Sequence, residues 1–199
     1  DPIEKKPLFH FLPGSRSYSI ATVGCNFQCL HCQNHQNSQY PHLQEGRIDG
    51  AVCSPEEVVG EAERSGCASI SYTYVEPTVF YEFARDCGLL AHGRGIRNVF
   101  VSNGYLSAEA TRDLATWLDA INIDLKAYTD AFYRQVCKAR LQPVLDTIRL
   151  CHELGLWVEV TTLLIPGLND SDEELRGAAR FLREISPTIP WHVTGFSPT

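Results

Sequence analysis

Short runs of β-branched, aromatic and aliphatic residues alternate along the chain with longer stretches in which apolar and charged positions are mixed. Each run is short and rich in residues that favour extended backbone, which predicts strands rather than helices. The six predicted strands cover residues 18–23, 68–74, 98–101, 120–125, 157–164 and 191–196. The stretches between them are predicted to be helices.

Local signals mark where these helices begin and end. Ser54, Ser107 and Ser171 are each predicted to cap a helix N-terminus. After Ser54 and Ser171 a glutamate follows three residues later, as in a capping box. Glycines that follow the helical stretches are predicted to end them. They are Gly66, Gly93, Gly95 and Gly155.

The alternation of strands and helices predicts parallel β/α units, because two parallel strands need a crossover of about a dozen residues or more. Six units of roughly 30 residues each use nearly all of the 199 residues, whereas a closed eight-unit barrel takes about 250. No Gly-x-Gly-x-x-Gly follows the first strand, which disfavours a dinucleotide-binding sheet. We therefore expect an α/β fold, a partial (β/α)6 TIM-type barrel of parallel strands. It forms a single domain over residues 1–199, with residues 1–16 as an N-terminal extension.

Composition and charge narrow the class of protein. A chain with 44% hydrophobic and 21% charged residues is typical of a globular domain. Its net charge of -7, with 17 dispersed basic residues, disfavours a nucleic-acid partner. No apolar run reaches the roughly 18 residues of a membrane span, and the N-terminus has no signal core, so a cytoplasmic location is expected. The absence of methionine, even as an initiator, indicates an incomplete or edited chain.

The eight cysteines are the most informative part of the composition. In a cytoplasmic chain they are expected to be reduced thiols, available for metal binding or catalysis. Five stand apart and are expected to pack as small buried residues. They are Cys53, Cys67, Cys87, Cys137 and Cys151. The other three, Cys25, Cys29 and Cys32, are spaced Cys-x3-Cys-x2-Cys on the loop of residues 24–37 that follows the first predicted strand.

Three converging thiolates are compatible with two kinds of metal centre. With His31 or His35 as a fourth ligand they could hold a tetrahedral zinc ion, although the asymmetric spacing disfavours it. The alternative is a cubic [4Fe-4S] cluster in which three thiolates hold three irons and the fourth iron stays open to an exogenous ligand. Because chemistry in β/α barrels lies at the carboxyl ends of the strands, further site residues are expected there.

The spacing Cys-x3-Cys-x2-Cys after the first strand of a β/α barrel is the signature of the radical S-adenosylmethionine (SAM) superfamily, which this sequence resembles. Five further segments resemble the radical SAM protein of the AmmeMemoRadiSam system, a group similar to pyruvate formate-lyase activating enzymes. They are residues 7–19, 72–78, 101–105, 122–126 and 161–170. The resemblance covers essentially the whole chain.

This resemblance implies that Cys25, Cys29 and Cys32 are catalytic residues that bind a single [4Fe-4S] cluster. The open iron would chelate the amino group and carboxylate of SAM. Reductive cleavage would then give methionine and a 5′-deoxyadenosyl radical, which abstracts hydrogen from a substrate, a protein glycyl residue being one candidate. The implied partners are a low-potential electron donor, ferredoxin or flavodoxin, and the other proteins of the AmmeMemoRadiSam system.

The resemblance also implies which residues contact SAM. His31 stands where the family usually has an aromatic residue against the adenine. Glu76 stands where a carboxylate receives the methionine amino group, and Tyr74 and Val75 replace the two glycines that usually precede it. A solvated loop histidine and an acid favoured by a helix N-terminus are the alternative interpretations of His31 and Glu76.

Further contacts are expected at the other strand ends. Asn103 follows the third strand, and Asp124 and Lys126 point to the same face of the fourth because side chains repeat every two residues. The resemblance implies that Lys126 neutralises the SAM carboxylate and that Asp124 binds the amino group or a monovalent cation, an ordinary ion pair being the alternative. Thr161, Thr162 and Leu163 on the fifth strand are expected near the ribose or adenine. Ser197 stands where relatives often have a histidine facing the ribose.

Two other classes of function stay open beside a radical SAM enzyme. A non-catalytic interaction module stabilised by zinc would contain zinc and no acid-labile sulfide. A simple iron–sulfur electron-transfer protein would be redox-active without binding SAM, and it would leave Glu76, Asp124 and Lys126 without a role.

Overall fold

The computed structural model describes residues 1–197, and in it six strands form one sheet. The strands are β1 Ser17–Ile20, β2 Ser69–Tyr72, β3 Arg97–Ser102, β4 Ala120–Asp124, β5 Trp157–Leu164 and β6 Trp191–Gly195. Their order in the sheet is their order in the chain, and every neighbouring pair is parallel. The predicted α/β fold with a parallel, partial barrel is therefore confirmed.

Helices connect the strands, as the β/α pattern predicts. They are α1 His35–Ser38, α2 Tyr40–Leu43, α3 Pro55–Arg64, α4 Tyr81–Gly93, α5 Ala108–Leu114, α6 Asp130–Phe132, α7 Leu141–Glu153 and α8 Asp172–Ile185. Two 3-10 helices, Ile3–Lys5 and Pro77–Phe80, and a π-helix, Tyr133–Cys137, are also present. No helix in residues 1–197 combines the length and the apolar character needed to cross a membrane.

The predicted helix caps are present in the structure. Ser54 and Glu57 form a complete capping box at the start of α3, in which each side chain bonds the other residue's backbone N–H. The Ser171 hydroxyl caps α8 by accepting from the backbone N–H of Glu174. The Glu174 carboxylate instead accepts from the backbone N–H of Tyr128, at 2.6 Å. The capping box predicted at Ser171 is therefore only half formed, because the Glu174 carboxylate accepts from the backbone N–H of Tyr128 and not from that of Ser171.

The two faces of the sheet have different surroundings. The outer face carries large apolar side chains that pack against the helices in the main hydrophobic core. They include Ile70, Tyr72, Phe100, Ile121, Ile123, Val158 and Val160. Alternate positions point to the inner face, because side chains in a strand alternate. Those positions are mostly polar, and they include the buried residues Ser17, Ser69, Ser71, Asn122 and Glu159.

The N-terminal extension covers part of this polar inner face. Ile3 and Leu8 are fully buried there and form a small second core with Val99 and Ala120. The Asn122 side-chain amide donates to the carbonyl oxygen of Pro7 at 3.0 Å. The extension thus supplies apolar contacts and backbone hydrogen-bond partners inside the sheet.

Four of the five isolated cysteines are buried, as predicted. They are Cys67, Cys87, Cys137 and Cys151. The prediction is wrong for Cys53, which is exposed because it lies in the loop before α3.

We expect Gly88→Ala to lower the free energy of unfolding by about 1–3 kcal/mol, the usual effect of overpacking a core. A Cβ at Gly88, inside α4, would lie 2.3 Å from the ring of Trp117, which is fully buried. The matched control is Gly93→Ala in the last position of the same helix, where a Cβ meets no atom within 4 Å. Urea denaturation measures both, and equal stability of the two variants would contradict the expectation.

Candidate active site

The cysteine loop is held in place by buried apolar contacts and backbone hydrogen bonds. Phe27, at its centre, is 2% exposed and packs edge-on against Tyr105, with ring centroids 5.2 Å apart. The Gln39 side-chain amide donates to the carbonyl oxygen of Phe27 at 3.0 Å. The Gly24 N–H donates to the carbonyl oxygen of Asn37 at 2.9 Å, which joins the two ends of the loop.

This loop brings all three clustered cysteines to one cavity. Cys25, Cys29 and Cys32 line a cavity of about 370 Å³ and are each partly exposed. The backbone N–H of Phe27 lies 3.4 Å from the Cys25 sulfur, and the Ser38 hydroxyl lies 3.4 Å from the Cys32 sulfur. Polar groups of the loop thus contact two of the three sulfurs.

The three sulfurs do not form a compact set of ligand atoms in this structure. Edges of a tetrahedron of zinc-bound thiolates are about 3.8 Å long. Among residues 1–197, no three ligand atoms from the cysteine loop lie within 4.8 Å of one another. The loop as it stands is therefore not a preformed tetrahedral zinc site.

The electrostatic surroundings of the three sulfurs differ. Burial raises the pKa of the Cys25 thiol to about 11. The neighbouring Cys137 thiol, together with the charge of Lys126, lowers the pKa of Cys29 despite burial. The surroundings therefore favour the thiolate at Cys29 more than at Cys25, where a proton must be displaced for a metal to bind.

The segment of residues 132–137, which follows β4, holds the cysteine loop by backbone hydrogen bonds. This role was not predicted from the sequence. The backbone N–H of Gln28 donates to the carbonyl oxygen of Cys137 at 3.2 Å, and that of Leu30 donates to Val136 at 3.0 Å. Cys137 is fully buried at the end of the π-helix. It acts as a packed cysteine in contact with Cys29, and the apolar and aromatic run of residues 132–137 was its only sequence signal.

Glu76 lies at the end of β2, where its carboxylate faces the same cavity. It accepts hydrogen bonds from the backbone N–H of Asn103 at 2.8 Å, the Ser102 hydroxyl at 2.9 Å and the backbone N–H of Thr78 at 3.3 Å. Burial raises the pKa of Glu76, and these hydrogen bonds partly offset that effect. The carboxylate is therefore fixed in position at the cavity wall.

Asn103, at the end of β3, links the strand ends to the cysteine loop. Its side-chain amide donates to the Asn26 side chain at 2.6 Å and lies 3.9 Å from the Cys25 sulfur. Its side-chain oxygen accepts from the backbone N–H of Tyr105 at 3.0 Å. The predicted position of Asn103 beside the cysteines is present in the structure, and Asn26 is a neighbour that the sequence did not single out.

Asp124 and Lys126 form an ion pair at the end of β4, and both line the cavity. The Lys126 ammonium lies 3.0 Å from the Asp124 carboxylate. Burial alone lowers the pKa of Lys126, but Asp124 and the neighbouring Cys29 together raise it above its ordinary value. Lys126 therefore provides a permanent positive charge beside the cysteines.

His31 also lines the cavity, with its Nδ1 buried and without a hydrogen-bond partner in the part of the chain that the structure describes. Burial, with the positive charge of Lys126, lowers the pKa of His31 to about 4. The ring is thus neutral at neutral pH, and its centroid lies 5.9 Å from that of Phe132. A neutral flat ring with a free nitrogen suits a position against a planar ligand.

Tyr74 borders the cavity in a backbone conformation that favours glycine. Its φ is +68°, a left-handed value that costs a residue with a Cβ about 1–2 kcal/mol. Its hydroxyl donates to the Asp1 carboxylate at 2.7 Å, and the Lys6 ammonium lies 4.3 Å from the ring centroid. Contacts with the N-terminal extension therefore hold a tyrosine in a conformation usual for glycine.

Two predicted contacts do not lie at this cavity. Thr162 is buried on the other face of β5, where its hydroxyl donates to Leu125 and accepts from Trp191, so the prediction for Thr162 is wrong. Its neighbours Thr161 and Leu163 line the cavity from β5, because side chains along a strand alternate between the two faces. Ser197 is exposed and does not line the cavity, and Thr194 lines it from β6 instead.

Sequence comparisons relate the chain to one large family. A profile of the Radical SAM superfamily matches residues 19–182. An uncharacterized protein of Methanocaldococcus jannaschii is 48% identical over 199 residues, covering 100% of this chain and 58% of that protein. The pyruvate formate-lyase-activating enzyme of Clostridium pasteurianum is 21% identical over 190 residues, covering 93% of this chain and 79% of that enzyme.

Structural comparison gives the same fold. The crystal structure of Streptococcus suis SuiB bound to S-adenosylmethionine superposes with a TM-score of 0.68 at 15% identity, covering 98% of this chain and 42% of that chain. The present chain therefore spans only part of the length of SuiB and of the Methanocaldococcus jannaschii relative. The narrower resemblance to the AmmeMemoRadiSam group stays a prediction from the sequence.

Proposed function

Because the chain belongs to the radical SAM superfamily, we propose that it holds a [4Fe-4S] cluster through Cys25, Cys29 and Cys32 and cleaves SAM reductively. The observation that carries this proposal is the shared cavity, in which the three sulfurs face the Glu76 carboxylate and the Lys126 ammonium. When bound, the cluster supplies the electron that breaks a carbon–sulfur bond of SAM, giving methionine and the 5′-deoxyadenosyl radical that abstracts hydrogen from a substrate.

The remaining cavity residues bind and orient SAM in this proposal. The fixed carboxylate of Glu76 accepts hydrogen bonds from the amino group of the methionine moiety, and Asn103 keeps it beside the cysteines. The Lys126 ammonium neutralises the SAM carboxylate, while Asp124 keeps that ammonium in place. The neutral ring of His31 lies against the adenine, with Tyr74 at the rim.

The substrate we propose is a protein glycyl residue, and the reductant is ferredoxin or flavodoxin in the cytoplasm. The support is the similarity, over 93% of this chain, to a pyruvate formate-lyase-activating enzyme. The cysteines outside the loop also support a single cluster, since Cys67, Cys87 and Cys151 are buried and Cys53 is exposed outside the cavity.

The test is anaerobic reconstitution with iron and sulfide, followed by dithionite and SAM. We expect about four irons per chain and reductant-dependent release of 5′-deoxyadenosine and methionine. A glycyl-containing substrate deuterated at the glycine α-carbon should transfer deuterium into 5′-deoxyadenosine.

Each contrary result points to a different function. Zinc without acid-labile sulfide would favour the interaction module. A reducible cluster without SAM binding would favour an electron-transfer protein. SAM cleavage without deuterium transfer would contradict only the proposal that the substrate is a glycyl residue.

A further inference from the structure

Two histidines and a glutamate come together outside the cysteine cavity. Glu159 lies in β5, His192 in β6 and His10 in the N-terminal extension, and one ligand atom from each lies within 4.8 Å of the other two. None of the three lines the cavity of the candidate active site. We propose that His10, Glu159 and His192 bind a second metal, a divalent transition ion of the zinc type.

The donor set and its spacing suit such an ion. Two imidazoles and one carboxylate form a common zinc site, with metal–ligand distances of about 2.0–2.2 Å and ligand–ligand edges of about 3.4 Å. The Glu159 Oε2 atom lies 3.4 Å from His10 Nδ1 and 2.6 Å from His192 Nε2. The shorter contact has to lengthen by about 0.8 Å to match that edge. That adjustment falls on His192, whose side chain is 16% exposed in the edge strand β6, because several hydrogen bonds fix the Glu159 carboxylate.

The charge balance of the site also favours a cation. The Glu159 side chain is fully buried, and its ion-pair partners within residues 1–197 are His10 and His192, with no lysine or arginine among them. Burial alone raises the pKa of Glu159, but hydrogen bonds from Trp157, His192 and the extension lower it, so the carboxylate stays ionised. A buried carboxylate without a permanent positive charge beside it is costly. A divalent ion provides that charge.

The hydrogen bonds around Glu159 orient it as a ligand. Its Oε1 accepts from the Trp157 indole N–H at 3.0 Å and from the backbone N–H of His10 at 3.0 Å. The backbone N–H of Phe9 reaches Oε2 at 3.1 Å. These donors hold the carboxylate with Oε2 towards both imidazoles, as outer hydrogen bonds commonly do for carboxylates that bind metals.

The position of the site indicates what the ion does. Glu159 and His192 each lie two residues before a residue that lines the cavity, Thr161 and Thr194, on the same side of the strand. The site therefore adjoins the cavity lining, since His192 is also the sheet partner of Thr161. The ion cross-links the N-terminal extension to β6, the last strand of the sheet, and so stabilises the wall of the cavity.

The test separates this site from the cysteine loop. A Cys25→Ala, Cys29→Ala, Cys32→Ala chain cannot bind zinc through those sulfurs, so it should still bind one zinc ion in equilibrium dialysis. Cobalt in its place should give visible absorption bands without sulfur-to-cobalt charge transfer. Adding His10→Ala to this chain should weaken zinc binding at least about tenfold. Tenfold is the smallest loss expected when a residue that supports a metal ligand is removed, and His10 is proposed as a ligand itself. His35→Ala, an exposed histidine outside the site, should leave it unchanged.

Thermal unfolding gives an independent readout. Zinc should raise the unfolding midpoint of the triple-alanine chain, because an ion that binds only the folded state stabilises it, and should not raise it after His10→Ala. If the triple-alanine chain does not fold, the cluster-loaded wild type is used, and zinc bound in addition to iron should disappear with His10→Ala. Absence of zinc from the folded chain, or equal affinity with and without His10, would overturn the proposal. Neither result depends on whether SAM is cleaved.

Discussion

Cys29→Ala is expected to abolish iron retention and to lower 5′-deoxyadenosine formation at least about a hundredfold. Loss of a residue that only hydrogen-bonds to a metal ligand costs up to about a hundredfold, and loss of a ligand itself should cost at least as much. Three sulfurs must hold three irons, so the loss of one leaves a cluster without a full set of protein ligands. Among them, Cys29 lies beside the Cys137 thiol and the charge of Lys126, which together lower its pKa despite burial. Iron and sulfide analysis after reconstitution, followed by the SAM cleavage assay, measures the loss.

The matched control is Cys53→Ala. Cys53 is exposed and does not line the cavity, so its removal should leave the iron content and product formation at wild-type values. A Cys29→Ala protein that keeps about four irons and forms product would contradict the assignment of the ligands. Equal losses in both variants would show only that reconstitution is sensitive to thiol content.

The fold could be predicted because its determinants are local in the sequence. Each strand is a short run that contains β-branched, aromatic or aliphatic residues, and Ser54, Ser107 and Ser171 mark the helix starts by their hydroxyl groups. Alternation along a strand then places Asp124 and Lys126 on the same side. The residues that make up each signal lie within a few positions of one another, so each signal can be recognised without knowledge of tertiary contacts.

The error at Thr162 has a physical cause. Val158, Glu159 and Val160 alternate between apolar and polar, but two threonines follow and end that alternation. Both threonines are buried, so burial does not distinguish them either. Counting two positions on from Glu159 reaches Thr161, which lines the cavity, and leaves Thr162 on the other face.

Contacts between residues far apart in the sequence could not be predicted at all. The backbone hydrogen bond from Gln28 to Cys137 joins two segments that lack a shared motif. Glu159 and His10 are separated by 149 positions. One available signal was the charge of Glu159 within the apolar run of residues 157–164, since a buried charge in a strand requires partners.

At Tyr74 the sequence departs from the family pattern, and the structure explains how the departure is accommodated. A tyrosine at a position usual for glycine suggests a changed backbone, yet Tyr74 keeps a left-handed φ of +68°. Its hydroxyl bonds to Asp1 and Lys6 compensate for the strain. The N-terminal extension and the residue that replaces glycine are therefore linked.

Glu76→Gln is expected to weaken SAM binding by about tenfold to a hundredfold and to leave the iron content unchanged. The substitution removes the charge that would bind the ammonium group, and a hydrogen bond to a charged group contributes roughly 1.5–3 kcal/mol, where about 1.4 kcal/mol is a factor of ten. Glutamine keeps the shape of the side chain, so its oxygen can still accept from Asn103 while its amide donates to Ser102. Equilibrium binding of SAM to the reconstituted, unreduced protein measures the change.

Two further variants decide whether the loss belongs to Glu76. Glu82→Gln removes an exposed carboxylate from the first turn of α4 and should bind SAM as the wild type does. Asp124→Asn removes the other carboxylate of the cavity, which pairs with Lys126. Wild-type affinity in Glu76→Gln would contradict its role as the acceptor for the amino group. If Asp124→Asn alone loses affinity, the ammonium group of SAM binds at the end of β4 rather than β2.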